Sequence, residues 1–359
     1  MTRGSGGRRP VTVIGGFLGS GKTTLLRRFL AEDGGRDIAV VVNEFGEVPI
    51  DHHLLWRAAE QSVVVSGGCV CCSRREDLVR SLKELLDQDE RGTIPRLRRV
   101  LIETSGLADP APILFTLVTD PVLQHHFFVD GMVATVDAVS GELQLDLHEE
   151  SRKQATVADQ LILTKVDMAE PAALERLAAR LRALNPTAEI TRSVFGKLQE
   201  DCLFSESEGA RVRIPPHGTW DQPPTHGLPA SETNSLSLTF RQPVDWIAFT
   251  IWLTMLLHAR GESVLRVKGL IHAQGVGGVI LNGVQHVLHP PLHLDRWPAE
   301  DASSRLVFIT RKLDPASLLR SLNAFQRLGG TGSSGVATHP AARLESAFSQ
   351  SQKVTHGDP

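Results

Sequence analysis

Short apolar runs, many of them β-branched, alternate with amphipathic stretches from Val11 to Val194. Runs of about four to eight apolar residues are typical of strands buried on both faces, and apolar positions that recur every three or four residues are typical of helices. The predicted strands are VTVIGG, IAVVVN, SVVVSG, RRVLIET, MVATVD and QLILTK, and the clearest helical stretches are TTLLRRFLAE and LVRSLKELLD. This alternation predicts right-handed strand–helix–strand units and an α/β fold whose parallel sheet carries helices on both faces.

The rest of the chain predicts a linker and a second domain. Residues 205–233 are rich in Pro, Ser, Gly and Glu, as linkers are. Residues 234–328 return to strand and helix patterns and predict a small α+β domain. The first domain is therefore expected over residues 11–204, and residues 1–10 and 329–359 are expected to be disordered.

The composition is ordinary for a soluble globular protein, with 41% hydrophobic and 22% charged residues in a chain of 359. The formal net charge of −3 gives no support for a nucleic-acid or anionic-membrane partner. No apolar run reaches the roughly 18 residues of a membrane span, and the short apolar start lacks the cleavage pattern of a signal peptide. We therefore expect a cytoplasmic protein.

The segment GFLGSGKT follows the first predicted strand, opens a predicted helix and matches the phosphate-loop pattern G-x-x-x-x-G-K-[ST]. Its glycines let backbone N–H groups turn toward phosphate oxygens, and the helix N-terminus adds its positive dipole end. Lys22 is expected to contact the β- and γ-phosphates and the Thr23 hydroxyl to bind Mg²⁺. A glycine-rich turn with a chance lysine is the alternative. The predicted nucleotide-binding residues of this P-loop NTPase sheet are Gly16, Gly19, Ser20, Gly21, Lys22, Thr23 and Thr24.

A second acidic site is expected where another strand of the sheet ends. The run RRVLIET supplies Glu103, which is placed to hold Mg²⁺ directly or through water. Gly106 follows, and its N–H is placed to sense the γ-phosphate. Thr104 or Ser105 acting as a helix N-cap is a simpler interpretation that is compatible with this role.

The residues Thr164, Lys165 and Asp167 follow the strand QLIL and form the candidate base-recognition site. A carboxylate there can accept hydrogen bonds from N1 and N2 of guanine, a donor pair that adenine lacks. Guanine-binding loops more usually begin with Asn, whose amide makes two contacts, and the Thr164 hydroxyl cannot replace both. The loop therefore favours GTP, and a solvated Lys-Asp turn is the alternative.

Three of the four cysteines, Cys69, Cys71 and Cys72, lie within four positions at the end of the run SVVV. Adjacent cysteines form a disulfide only with strain, and cytosolic thiols stay reduced, so the cluster predicts a metal site. Zn²⁺ prefers four tetrahedral sulfur or nitrogen ligands, and three cysteines leave a fourth position open, which suits metal transfer. Soft ligands also admit Co²⁺ or Cu⁺. Buried structural cysteines or a redox site are the alternatives.

The segment from Asn43 to His53 follows the second predicted strand, and a parallel sheet gathers such strand ends beside the phosphate loop. Asp51 and Glu44 are candidates for Mg²⁺ binding or for positioning the attacking water. Glu44, His52 and His53 are candidates for a fourth metal ligand, although a solvated loop is the simpler interpretation of the two histidines.

Together these motifs resemble the CobW family of metal-chaperone GTPases, relatives of the nickel-insertion GTPases for urease and hydrogenase. The resemblance rests on GGFLGSGKTTLL, NEFGE followed by ID, GCVCC, ETSGLADP and TKVD, and extends to LRVKGL, VQHVLHP and RLVFITRKLD. It implies Mg·GTP binding, slow hydrolysis, a metal site at Cys69, Cys71 and Cys72 that is linked to the nucleotide switch, and a client protein. Thr164 replaces the more usual Asn, and Pro49 replaces a flexible glycine, which would stiffen its loop.

We therefore predict a GTP-hydrolysing metallochaperone that delivers Zn²⁺, or Co²⁺, to a client metalloprotein. Its predicted catalytic residues are Lys22, Glu103 and Asp51, and Thr23 and Glu103 are the predicted Mg²⁺ ligands. Two alternatives stay open: a P-loop kinase or ATPase with a structural zinc, and a nucleotide-responsive metal buffer or sensor with little turnover. A nucleotide-dependent homodimer is a further partner that the sequence leaves open.

Overall fold

The computed structural model describes two domains, each built on its own sheet. The described residues are 8–31, 37–43, 63–67, 75–198, 233–294, 297, 303–328 and 336–340. The predicted α/β domain and the predicted α+β domain are both confirmed in these ranges.

The first sheet follows the apolar runs of the sequence. Its described strands are β1 (Arg9–Gly16), β2 (Ile38–Asn43), β3 (Val63–Gly67), β4 (Arg99–Thr104), β5 (Phe127–Asp137), β6 (Gln160–Thr164), β7 (Glu189–Val194) and β8 (Lys197–Leu198). They lie in the order β3-β2-β4-β1-β5-β6-β7-β8, and every neighbouring pair is parallel except β7 and β8. The carboxyl ends of the parallel strands therefore meet at one edge of the sheet.

Helices cover both faces of this sheet, as predicted. They are α1 (Lys22–Phe29), α2 (Arg75–Glu90), α3 (Ala111–Thr119), α4 (Pro121–His126), α5 (Gly141–Leu147), α6 (Glu149–Val157) and α7 (Pro171–Leu184). Successive residues of a strand point to opposite faces. Val13 and Ile102 accordingly pack in one core with residues of α2, α3 and α7. Their neighbours Ile14 and Leu101 pack with α1 in a core on the other face.

The second domain is an antiparallel sheet packed against two helices. Its described strands are β9 (Thr233–Phe240), β10 (Val264–Ala273), β11 (Gly277–Val284), β12 (Val287–Leu288), β13 (Leu292–Leu294), β14 (Ser304–Arg311) and β15 (Val336–Pro340), and its helices are α8 (Trp246–Arg260) and α9 (Pro315–Leu328). Phe249 and Trp252 of α8 and Leu322 of α9 share a core with Val267 and Phe308 of the sheet. Across the described residues, no helix combines the length and apolar character needed to cross a membrane.

Three boundaries differ from the sequence expectation. β1 begins at Arg9, inside the stretch predicted to be disordered, because Arg9 pairs with Phe127 and extends the ladder with β5. β9 begins at Thr233, the last residue of the predicted linker, where it pairs with Arg311. Val336–Pro340, in the predicted disordered tail, forms β15 on the edge of β9, since an unpaired strand edge is a template for a further strand. Apart from Arg8, which directly precedes β1, the rest of the predicted linker and ends lies outside the described residues.

A buried charge cluster joins the two domains. Asp159, just before β6, accepts hydrogen bonds from Lys268 Nζ at 3.2 Å and from the Arg266 guanidinium, both on β10, and from Met132 N at 3.0 Å. Burial opposes ionisation of Asp159, but Arg266 and Lys268 outweigh this effect and hold its pKa well below its usual range. Removing one partner would leave a buried charge uncompensated. The cluster therefore fixes β10 against the first domain.

The charges of this cluster act on His289, whose titration makes the free energy of unfolding depend on pH. Burial lowers the pKa of His289 to about 4 from 6.5, with Arg266 adding to the effect and Asp159 opposing it. The unfolded chain therefore binds more protons than the folded chain between about pH 4 and 6.5. The free energy of unfolding should fall as the pH is lowered through this window, by roughly 1–3 kcal/mol.

Denaturant unfolding across this pH window tests the assignment. His289→Gln should flatten the dependence of the unfolding free energy on pH, because the titrating group is gone. His258→Gln, at an exposed position of α8, is the matched control and should leave the dependence unchanged. The same slope in His289→Gln and wild type would show that another group is responsible.

Candidate functional site

The phosphate loop, Gly16 to Thr23, connects β1 to α1 and depends on glycine. Gly16, Gly19 and Gly21 have φ angles of 139°, 70° and 94°, in the region that residues with a Cβ rarely adopt. A Cβ on Gly16 would also lie 2.2 Å from Thr135 Oγ1. A Cβ on Gly19 would meet nothing within 4 Å. The loop therefore has the backbone of a phosphate cradle, with open space at Gly19.

Lys22 and Thr23, which the sequence predicts to bind phosphate and Mg²⁺, lie where this loop meets β4. Lys22 is 9% exposed, and its Nζ donates to the carbonyls of Gly16 at 2.8 Å and Phe17 at 3.1 Å, so the ammonium group lies across the loop. Thr23 Oγ1 donates to Glu103 Oε1 at 2.7 Å. A hydroxyl and a carboxylate are hard oxygen ligands of the kind that Mg²⁺ prefers. The donor set therefore fits the predicted Mg²⁺ site.

Two hydroxyl groups from neighbouring strands hold the loop in place. Ser20 Oγ lies 2.6 Å from Thr135 Oγ1 of β5. Thr164 Oγ1 donates to the Ser20 carbonyl at 2.7 Å. Thr164 therefore binds the phosphate loop itself. Sequence reasoning did not identify Thr135, whose role depends on the pairing of β1 with β5.

The base loop, Thr164 to Asp167, leaves β6 and turns at Lys165, whose φ angle of 55° is left-handed. Lys165 Nζ lies 2.7 Å from Asp137 Oδ2, at the carboxyl end of β5. Asp137 Oδ1 in turn accepts from Val139 N at 2.8 Å. Asp167 is exposed in a short 3-10 turn. Sequence reasoning missed Asp137, although an acidic residue at the end of a predicted strand was a usable signal.

The switch segment, Ser105 to Asp109, lies directly against the phosphate loop. A Cβ on Gly106 would be 2.7 Å from the backbone nitrogen of Leu18, so only glycine allows this approach. Gln154 Nε2 of α6 donates to the carbonyls of Gly106 at 3.1 Å and Ala108 at 3.0 Å. Sequence reasoning missed Gln154, which carries no local motif.

The helix-cap interpretation of Thr104 and Ser105 is wrong. Thr104 is the last residue of β4, and the next described helix begins only at Ala111, with Pro110 as its cap residue. Thr24 lies on α1 and is exposed.

The predicted transition-metal site lies outside the described residues. Cys69, Cys71 and Cys72 lie outside them, as do the candidate fourth ligands Glu44, His52 and His53. Asp51, the candidate for Mg²⁺ binding or for positioning the attacking water, and Pro49 of the same loop also lie outside the described residues. Within the described residues, no cluster of three or more His, Cys, Asp or Glu side chains could hold a metal ion.

Two known protein families match this chain, one over each domain. The family described as "CobW/HypB/UreG, nucleotide-binding domain" matches residues 10–192, and "Cobalamin synthesis protein cobW C-terminal domain" matches residues 233–326. The chain is 35% identical to the zinc chaperone YjiA of Escherichia coli, over 83% of this chain and 93% of that protein. It is 31% identical to the zinc chaperone CobW of Pseudomonas aeruginosa, over 87% and 90% respectively.

A solved structure extends the likeness to the whole fold. The crystal structure of Zn(II)-bound YjiA GTPase from Escherichia coli superposes with a TM-score of 0.62 at 27% identity. The match covers 89% of this chain and 99% of that one.

The bond from Thr164 to the phosphate loop predicts a measurable effect on nucleotide affinity. Thr164→Val keeps the shape but leaves the buried Ser20 carbonyl without this donor, a net loss of about 1 kcal/mol. Calorimetry should show GDP affinity weakened about fivefold. Thr93→Val removes a similar bond, from Thr93 Oγ1 to the Gln88 carbonyl, at an exposed site and should change nothing. Unchanged affinity in Thr164→Val would remove this role.

The chain thus carries a phosphate loop, a carboxylate at the end of β4, a base loop and a second domain, in that order. The two family matches cover both domains, and the two zinc chaperones named above are matched over most of their length. The chain belongs to the CobW/HypB/UreG family of nucleotide-binding proteins.

Proposed function

We propose that this protein is a GTP-hydrolysing metallochaperone that carries Zn²⁺, with Co²⁺ as the second candidate, and passes it to a client metalloprotein. The observation that carries the proposal is the contact of Thr23 with Glu103, 2.7 Å apart at the mouth of a phosphate loop. Two relatives named zinc chaperones and a Zn(II)-bound structure support zinc as the cargo.

In this proposal the described residues bind and orient GTP. Lys22 binds the β- and γ-phosphates, and Thr23 and Glu103 hold Mg²⁺. When bound, Mg²⁺ neutralises phosphate charge that develops during hydrolysis. Gly106 contacts the γ-phosphate through its N–H, while Gln154 holds its carbonyl. Asp51 is proposed to position the attacking water.

In this proposal, Lys165 and Asp167 recognise the base of the nucleotide. The exposed Asp167 carboxylate accepts from the N1 and N2 groups of guanine, and the Lys165 stem lies along the ring. The ion pair with Asp137 holds Lys165 in position. Adenine lacks the donor pair that Asp167 requires, which favours GTP over ATP.

Cys69, Cys71 and Cys72 are proposed to bind the transported metal. Gly67, the last residue of β3, is level with Asn43, which is level with Thr104 at the end of β4. Adjacent strands lie about 4.8 Å apart, so Gly67, which precedes the cysteine segment, lies about 10 Å from Thr104, which precedes the switch segment.

Arg75, the first described residue after the cysteine segment, contacts the helix that follows the switch segment. Arg75 follows Cys72 by three positions, so their Cα atoms can be at most about 11 Å apart. Arg75 Nη2 donates to Thr119 Oγ1 at 2.6 Å, and its guanidinium lies 5.0 Å from the centre of the Phe115 ring. Both partners lie on α3, which follows the switch segment. These contacts support coupling between the nucleotide and the metal.

The partner proposed for the second domain is the client metalloprotein. A relative from Schizosaccharomyces pombe, 26% identical over 77% of this chain, is named zinc-regulated GTPase metalloprotein activator 1. We propose action in the cytoplasm, without a nucleic-acid or membrane partner. The proposal does not depend on a nucleotide-dependent homodimer.

A competition titration of Zn²⁺ against a chromophoric chelator tests the proposed function. It is run with no nucleotide, with Mg·GDP and with a non-hydrolysable Mg·GTP analogue. We expect the GTP-bound form to bind Zn²⁺ about 100-fold more tightly than the GDP-bound form, a typical size for allosteric coupling. Cys71→Ser should abolish tight binding because it removes a thiolate ligand.

Lys22→Ala is the control that separates coupling from binding. It should keep the Zn²⁺ affinity of the nucleotide-free protein and lose the response to nucleotide. Equal Zn²⁺ affinity in all three states of the wild type would contradict the proposal and favour a metal buffer. Retention of Zn²⁺ until the protein unfolds would favour a structural zinc site.

A further inference from the structure

Phe195 combines an exposed aromatic ring with a strained backbone. It occupies the turn between β7 and β8, is 77% exposed and has a φ angle of 47°. Bulky residues are rarely found in this left-handed region. Of the five non-glycine residues with positive φ in the described ranges, Phe195 alone is aromatic. Two-residue turns between antiparallel strands such as β7 and β8 favour positive φ at both positions and usually carry Asn-Gly. A phenylalanine in place of the usual asparagine, with its ring exposed, points to a function for the ring.

The turn that carries Phe195 is fixed against the helix that follows the phosphate loop. The next residue, Gly196, has a φ angle of 79°, and a Cβ there would lie only 2.8 Å from the Thr24 carbonyl oxygen. The same Cβ would lie 2.9 Å from Arg28 Cβ, so the turn packs along α1 between Thr24 and Arg28. Phe195 therefore lies beside the helix that the phosphate loop opens, and this position depends on backbone packing and not on its own ring.

The same turn lies beside the base loop. β7 runs parallel to β6, with Arg192 level with Leu163. The two strands therefore end side by side, and the chain leaves β7 next to the residues that follow Thr164. Met168, which closes the 3-10 turn after the base loop, is itself 70% exposed. Two large apolar side chains are thus exposed at the edge where Asp167 is proposed to bind guanine.

We propose that Phe195 stacks on the purine base of the bound nucleotide. The inference rests on the proposed function, in which GTP binds at the phosphate loop and the base loop. A purine held by Asp167 at its edge still has two apolar faces. The Lys165 stem covers one face, and an exposed aromatic ring beside the base loop suits the other.

Stacking also adds to the nucleotide affinity that the contacts of the base loop provide. The Thr164 hydroxyl is engaged with the Ser20 carbonyl at 2.7 Å, and the loop has no amide side chain at that position. Stacking of an aromatic side chain on a base strengthens binding by about tenfold or more. Because every base has a π-face, Phe195 raises affinity, while Asp167 selects guanine.

Calorimetry of GDP binding to full-length variants tests the proposal. Phe195→Leu and Phe195→Gly should weaken GDP binding about tenfold, and Phe195→Trp should retain it. Competition by pyrophosphate, which has no base, should be unchanged in all variants. Ile247→Ala, at a 70% exposed apolar position of the second domain, is the control and should bind GDP as wild type does.

Thermal unfolding without nucleotide separates stacking from packing. Phe195→Gly should unfold at no lower temperature than wild type, because glycine tolerates the positive φ angle. Weakened GDP binding with lowered thermal stability and weakened pyrophosphate binding would show a packing role and overturn the inference. Unchanged GDP affinity in Phe195→Leu and Phe195→Gly would overturn it while the proposed function stands. A wild type that binds neither GDP nor GTP would overturn both.

Discussion

The parallel pairing of β1 with β4 brings Ile14 level with Glu103, and its pairing with β5 brings Gly16 level with Thr135. The contacts at the mouth of the phosphate loop depend on these two registers. A shift of one residue would turn Glu103 to the other face of the sheet, away from Thr23. The apolar residues that alternate along β1 and β4 pack into separate cores on the two faces, and this packing resists such a shift.

The sheet connects the nucleotide site to two more distant parts of the molecule. β2 lies between β4 and β3, so the strand that leads toward the cysteines is only two positions from Glu103 in the sheet. At the opposite edge of the sheet, where β6 begins, Asp159 is held by Arg266 and Lys268 of the second domain. A factor of 100 in metal affinity requires only about 2.7 kcal/mol of coupling between the nucleotide site and the metal site.

Local pattern was sufficient to predict much of this fold. The bounds of β2 follow from the apolar run IAVVVN, and the phosphate loop follows from its glycines and Lys22. The roles of Thr135, Asp137 and Gln154 could not be predicted, because each arises from contacts between residues far apart in sequence. The domain interface at Asp159 could not be predicted for the same reason, because its partners also lie far away in sequence. The metal-binding role of Cys69, Cys71 and Cys72 stays a prediction.

Coupling between nucleotide and metal binding must be reciprocal. Calorimetry of a non-hydrolysable Mg·GTP analogue, with and without saturating Zn²⁺, therefore measures the coupling from the nucleotide side. Zn²⁺ should tighten binding of the GTP analogue by the same factor by which the analogue tightens Zn²⁺ binding, about 100-fold, and GDP affinity should change little. Equal affinity for the GTP analogue with and without Zn²⁺ would show that the two sites are not coupled.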